Sequence, residues 1–244
     1  MPSSRLFKIG TLNIQKRNRS PAKAERIEAA IAAQAWDVLF FQECLLGHDE
    51  KILGLEKLRA EFPFEATSTS RIFKNGIWMG NAILSKHPLH HVKSLKFRHA
   101  RGMSQRSALA ARLELGGKRC LLVSLHLGLL EGERNKQISQ ILAYCHDNAK
   151  DFDGLVLAGD FNDWSGRCHR DLSLWSHDVK QWKALSAPDD ISLQAQPLTY
   201  PAAFPILALD RIYAWGACSI ERRLALGGPM ISDHRAVVAD LRLR

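Results

Sequence analysis

Leu155-Val-Leu-Ala-Gly-Asp160-Phe-Asn162-Asp-Trp164 joins a short apolar run to a cluster of polar residues. Four apolar residues, Leu155 to Ala158, stand between Gly154 and Gly159. The run is too short for a helix and is bounded by helix breakers, so it reads as a buried strand. Asp160, Asn162 and Asp163 follow at once. In an open α/β sheet, ligand chemistry gathers just beyond the C-terminal ends of strands. The same residues are also good turn formers, because Asx side chains bond the nearby backbone. One strand end leaves a turn and a site both open. Repetition of the pattern elsewhere in the chain decides between them.

Outward from this stretch, other apolar runs end in polar residues. Phe7 to Leu12 reads as a strand ending at Asn13, and Trp36 to Phe41 as a second that stops at Gln42-Glu43. Gly76 to Leu84 is strand-like and runs into the turn Ser85-Lys86-His87-Pro88. Ala108 to Leu115 and Arg119 to Leu125 predict a hairpin around Gly116-Gly117, its second arm ending at His126. Ile212 to Ala214 and Ala236 to Leu241 are the last strands. Ser20-Pro21 predicts a helix start, with serine at the cap and proline at the first position. Ala24, Ile27 and Ile31 mark its apolar face. Ile52, Leu55, Leu58 and Phe62 predict a second helix, and Arg134, Ile138, Ile141, Leu142 and Cys145 one side of a third. Ser165 to Phe204 shows no regular pattern. With no low-complexity linker or solenoid repeat, the expectation is one mixed α/β domain over residues 1–244.

The composition bounds the class. Hydrophobic residues make up 46% and charged residues 24%, ordinary for a globular protein with a substantial core. No run approaches the roughly 18 apolar residues of a membrane-spanning helix. The N-terminus has neither an apolar core nor a small-residue cleavage site, so no signal peptide is expected. Five scattered cysteines without a CxxC pair point to a reduced, cytoplasmic protein. A net charge of +9 favours polyanionic partners, nucleic acid or anionic lipid.

Collected together, the residues at six strand ends are Asn13, Glu43, His126, Asp160 with Asn162, Asp210, and Asp233 with His234. Glu43 with Asp160 or Asp233 offers the hard oxygen ligands that Mg²⁺ or Mn²⁺ prefer. A histidine beside a carboxylate can serve as acid, base or phosphate donor. Metal-assisted phosphoester hydrolysis is the chemistry this set fits.

The ordered motifs Thr-Leu-Asn13, Gln-Glu43, Gly-Asn-Ala-Ile-Leu-Ser85, Ser-Leu-His126, Ala-Gly-Asp160-Phe-Asn162, Leu-Asp210-Arg-Ile and Ser-Asp233-His234 resemble the endonuclease/exonuclease/phosphatase superfamily over residues 6–241. The resemblance implies the deoxyribonuclease I-like fold, a four-layer α/β sandwich of two mixed, mostly antiparallel sheets with outer helices. It implies a Mg²⁺- or Mn²⁺-dependent hydrolase of phosphoester bonds. By likeness, Glu43 is the principal metal ligand, with Asn13 beside it and Asp233 sharing the ion. Asp160 aligns or deprotonates water, Asn162 steadies the phosphate, and His234 contacts it, oriented by Asp210. His126 is a second histidine across the phosphate. The stretch from Thr199 to Tyr213 is more similar to small bacterial members of unassigned substrate.

Three functions stay open at this point. One is a nuclease on DNA or RNA, acting as a monomer. Another is a phosphodiesterase or phosphatase on phospholipid or a small ester. A third is a non-catalytic polyanion-binding module. Lys16, Lys74, Arg101, Arg106, Arg134 and Arg235 are candidates for a basic rim, and Trp164, Trp175 and Trp182 for stacking, lipid contact or core packing.

Overall fold

The computed structural model describes residues 6–74, 76–97, 105–178 and 196–244, with side chains between 173 and 178 outside the description. The chain forms β1 (Leu6–Asn13), α1 (Pro21–Ala32), β2 (Val38–Leu46), α2 (Glu56–Glu61), β3 (Phe64–Ile72), β4 (Trp78–Ser85) and β5 (Leu89–Lys96). It continues with β6 (Ser107–Leu115), β7 (Lys118–His126), α3 (Glu131–Asp147), β8 (Gly154–Asp160) and α4 (Arg167–Asp178). β9 (Asp210–Gly216), β10 (Cys218–Leu226) and β11 (Ala236–Leu243) complete it. One sheet has the order β10-β11-β1-β2-β4-β3 and the other β5-β6-β7-β8-β9. Each is antiparallel apart from one parallel pair among the described strands, β1–β2 in the first and β7–β8 in the second.

Side-chain parity builds the layers. Successive strand residues point to opposite faces, so each central strand here must be apolar on both. Ile9, Val38, Phe40, Leu122, Val156, Ala158 and Ile212 fill the space between the sheets. Their odd-step neighbours Leu39 and Phe41 face outward against Ala24, Ile27 and Ile31 of α1. On the second sheet Leu121, Val123, Leu155 and Leu157 face outward against Ile138, Ile141 and Cys145 of α3. Four layers result, helix, sheet, sheet and helix, as the resemblance implied.

The inward-facing rows turn polar toward one end of the sandwich. Thr11 Oγ1 and the Gln42 amide lie 3.2 Å apart, and Gln42 Nε2 donates to Ser124 Oγ at 3.2 Å, joining the two sheets. One further step along the same parity come Asn13, His126, Asp160 and Asp210. β1, β7 and β8 end there and β2 passes Gln42 beside Asn13, because each parallel pair runs its two strands the same way.

Several expectations needed correction. β2 does not stop at Gln42-Glu43 but runs to Leu46 through a register shift, with Glu43 at φ 52°. A bulge of this kind re-aims one side chain without ending the strand. The helix expected from Ile52 to Phe62 is confined to Glu56–Glu61. Ser20 precedes α1, but its side chain makes no capping bond. β3, β5 and β10 were not read from the sequence. All three are edge strands, where polar and charged side chains replace the apolar run. All five cysteines are free and buried. No helix among the described residues is long and apolar enough to cross a membrane.

Candidate active site

His126, Asp160 and Asp210 are register neighbours across β7, β8 and β9, so their side chains form one row. The turn out of β8 needs Gly159, at φ 147°, where a Cβ would sit 1.9 Å from the Leu125 carbonyl oxygen. That close approach lets Asp160 stand directly beside the end of β7. Asn13 Nδ2, from the opposite sheet, donates to Asp160 Oδ2 at 3.0 Å. The Asn162 backbone N–H donates to Asp160 Oδ1 at 2.9 Å. Asn162 itself is left-handed, at φ 47°, a conformation asparagine tolerates better than most residues. Its side-chain amide donates to the Leu127 carbonyl at 2.9 Å and ties the two loops together.

The two histidines carry different charges. His126 Nε2 lies 3.4 Å from Asp160 Oδ2, and its Nδ1 lies 3.1 Å from Arg106 Nη1. A guanidinium only donates, so His126 Nδ1 is the acceptor and the ring proton sits on Nε2, facing Asp160. Burial first, and then the Arg106 charge, lower its pKa well below the ordinary value, so His126 is neutral. His234 Nδ1 lies 2.7 Å from Asp210 Oδ2. Burial pulls the His234 pKa down, but the Asp210 charge and hydrogen bond outweigh it and lift the imidazole to about 9. His234 is therefore a cation at neutral pH, with the Tyr200 ring 4.8 Å away, centroid to centroid. Burial and then the Asp210 charge push Asp160 up to about 6. The second Asp210 oxygen, Oδ1, is buried and has no hydrogen-bond partner.

Glu43 stands at the edge of this row. Its carboxylate is 3.2 Å from Lys16 Nζ and 3.8 Å from Arg106 Nη1. Arg106 thus connects Glu43 to His126. Asp233 joins through its neighbours: Ser232 Oγ donates to the Asn13 carbonyl at 2.6 Å and accepts from the His234 N–H at 3.3 Å. The Asp233 carboxylate lies 3.2 Å from the same Ser232 oxygen. Among the described residues, one group of carboxylates and imidazoles has ligand atoms all within 4.8 Å of one another, Asp160, Asp210 and His234. Glu43 and Asp233, expected from the sequence as cation ligands, are not in that group.

Arg211 was not singled out as a positioning residue from the sequence. It donates to Asp163 Oδ2, to the Asp163 carbonyl and to the Ala208 carbonyl, each at 2.8 Å. The guanidinium straps down the loop that carries Asp160 and Asn162. Parity could have found it: if Asp210 faces inward, Arg211 must face outward, beneath that loop. Arg134, expected on the rim, is instead buried and donates to the carbonyls of Gly128 and Leu129. Trp164 is half exposed. Arg101, Trp182 and the Trp175 side chain lie outside the described residues.

A sequence profile of the endonuclease/exonuclease/phosphatase family matches residues 10–234. The uncharacterized protein YbhP of Escherichia coli is 28% identical over 97% of this chain and 96% of its own length. Among solved structures, an endonuclease/exonuclease/phosphatase from Beutenbergia cavernae superposes with a TM-score of 0.73 at 21% identity, covering 98% of this chain and 72% of that one. D. rerio TDP2 complexed with single strand DNA product superposes with a TM-score of 0.62 at 15% identity, over 97% of this chain and 99% of that one. Fold, motif order and profile agree: the chain belongs to the endonuclease/exonuclease/phosphatase family, a family of phosphoester-hydrolase type.

Proposed function

We propose that the chain, as one domain over residues 1–244, is a Mg²⁺- or Mn²⁺-dependent phosphodiesterase acting as a monomer in the reduced cytoplasm. The observation that carries this reading is the buried row His126, Asp160, Asp210, His234, holding a neutral histidine at one end and a protonated one at the other. Hydrolysis of a phosphodiester needs a base for water and donors for the phosphate oxygens. Asp160, at about 6, is ionised at neutral pH yet basic enough to take a proton from water. Asn13 and the Asn162 N–H hold its carboxylate in place. His234 donates to the phosphate as a cation kept charged by Asp210. His126 offers a neutral Nε2–H from the other side, and the Asn162 amide steadies the scissile group.

The donor chemistry fits a hard divalent cation. Glu43 is a partly open carboxylate at a left-handed backbone position and would hold the ion, with Asn13 and Asp233 as the further oxygen donors that the family likeness implies. Two basic groups sit against the Glu43 charge, and the orphaned Asp210 oxygen adds negative potential nearby. Such an ion, when bound, supplies charge neutralisation on the phosphate. Asp160, Asp210 and His234 are the weaker cation cradle, since His234 is itself positive and occupies Asp210.

Nucleic acid is the substrate class that the charge of +9 supports. Phospholipid is a second reading, favoured by apolar side chains exposed beside the site. A panel of plasmid, oligonucleotides, phospholipids and bis-p-nitrophenyl phosphate, each with Mg²⁺, Mn²⁺ or EDTA, tests the proposal. Metal-dependent cleavage of any of these diesters is expected. Inertness toward all of them at high enzyme concentration overturns it.

A further inference from the structure

The rim of the site is unusually apolar. Ten large hydrophobic side chains stand exposed among the described residues, and six of them lie on the segments that adjoin the catalytic row. Leu129 and Leu130 follow His126 at the end of β7, and Trp164 follows Asp160 at the end of β8. Phe204 and Ile206 lie on the segment leading to Asp210, and Met230 on the segment leading to His234. Their exposure runs from 46% for Leu129 to 77% for Phe204. Leu6, at the opposite end of β1, and Val92, on edge strand β5, lie away from these segments.

These loops are braced to one another and to the site. Trp164 Nε1 approaches the Leu129 carbonyl at 3.5 Å. The Ala202 N–H donates to the Asp233 carbonyl at 2.7 Å, and Arg235 donates to the Ala202 carbonyl at 2.9 Å. The segments carrying Leu129 and Trp164 are thus held to each other, as are those carrying Phe204 and Met230. On the Glu43 side the rim becomes basic. A groove of about 700 Å³ is lined by Lys16, Arg19, Arg71 and Lys74, over Ile72 and Phe73.

We propose that this face docks the protein on an anionic phospholipid surface, placing the phosphodiester headgroup layer over the catalytic row. This deepens the phospholipid reading of the proposed function and rests on that function for the chemistry only. A bilayer interface offers phosphates above hydrocarbon, which matches cations beside protruding Leu, Ile, Met, Phe and Trp. Single-stranded nucleic acid calls for flat aromatic platforms along a basic path. Most of the rim side chains here are aliphatic and cannot stack on bases. A duplex presents phosphates without exposed hydrocarbon and leaves these side chains unexplained. Exposed patches of this kind in a water-soluble chain mark contact surfaces.

The test uses the full chain and sedimentation with vesicles of phosphatidylglycerol mixed into phosphatidylcholine, in EDTA. The wild-type protein is expected to pellet with the anionic vesicles and to stay in the supernatant with phosphatidylcholine alone. Each inserted side chain is worth about tenfold in partitioning, so Phe204→Ser with Met230→Ser lowers it about a hundredfold. Metal-supported hydrolysis of soluble bis-p-nitrophenyl phosphate by this double variant is expected to match the wild type, which shows it folded. Wild-type protein that ignores anionic vesicles overturns the docking proposal, as does a double variant that pellets equally well. So does a double variant that keeps vesicle binding but loses affinity for a single-stranded oligonucleotide, since that assigns the rim to nucleic acid. Because pelleting needs no turnover, failure to hydrolyse the soluble ester counts against the hydrolase reading alone.

Discussion

Replacing Asp210 with asparagine tests how the site keeps its second histidine charged. The variant preserves shape and a hydrogen-bonding oxygen 2.7 Å from His234 Nδ1 but removes the charge. In the wild type, burial lowers the His234 pKa and Asp210 more than reverses this, from the ordinary 6.5 to about 9. That difference corresponds to about 3 kcal/mol favouring the protonated folded state. Because the folded pKa is raised, the associated stability is fully present below about pH 6.5 and drains away as pH climbs through about 9. Without the Asp210 charge, burial is opposed only by the charges of Asp160 and Asp233, so the His234 pKa falls from about 9 and the alkaline loss moves to lower pH. Imidazole NMR titration in EDTA reads the pKa directly, and urea unfolding at several pH values between 6 and 9 reads the linkage. If Mg²⁺-supported hydrolysis is followed in parallel, its alkaline limb is expected to move from about pH 9 to lower pH, with a loss of rate on the alkaline side. A His234 that still titrates near 9 in Asp210→Asn, or an unchanged alkaline limb, refutes the assignment of Asp210 as the group that charges it.

Further expectations concern positioning and the cation. Arg211→Met leaves Asp163 buried without its partner, and a loss of about 3–5 kcal/mol by chemical denaturation is expected. Gly159→Ala forces a Cβ to 1.9 Å from the Leu125 carbonyl at φ 147°, so a drop of at least ~2 kcal/mol in unfolding free energy is expected, and a wild-type melting temperature contradicts the geometry. Glu43→Gln is expected to weaken Mn²⁺ binding, followed by calorimetry, by about tenfold to a hundredfold. An unchanged affinity moves the cation to another set, with Asp160, Asp210 and His234 next in line.

Parity explains how much of this was legible. Asn13, His126, Asp160 and Asp210 each end or begin an apolar strand, and the strand periodicity puts each at the polar end of an inward-facing row. The sequence therefore exposed the sandwich core and most of the residues that gather in the candidate site through one signal, and motif order pointed to the fold. Three strands escaped that signal. β3 reads Phe-Glu-Ala-Thr-Ser-Thr-Ser-Arg-Ile and β5 Leu-His-His-Val-Lys-Ser-Leu-Lys, edge sequences whose polarity hides the period of two. The bulge at Glu43 was invisible for a different reason. Local sequence does not disclose that Gln42 turns inward to reach Ser124 while the next residue leaves the ladder. Arg134 misled because an arginine on a helix is usually solvated, whereas here it satisfies loop carbonyls under the site. The histidine charges depend on burial and on partners from distant strands, and no spacing in the chain encodes them.

In the proposed reaction Asp160 handles the attacking water of a phosphodiester cleavage. Initial rates on bis-p-nitrophenyl phosphate with saturating Mn²⁺, for the wild type and a folded Asp160→Asn variant, test it most directly. The variant keeps the size and the Asn13 contact, gives up the acceptor for the Asn162 N–H, and cannot accept the proton, so a loss of about a thousandfold or more in kcat, in a folded protein of unchanged Mn²⁺ affinity, is expected. A variant within tenfold of the wild type contradicts the account.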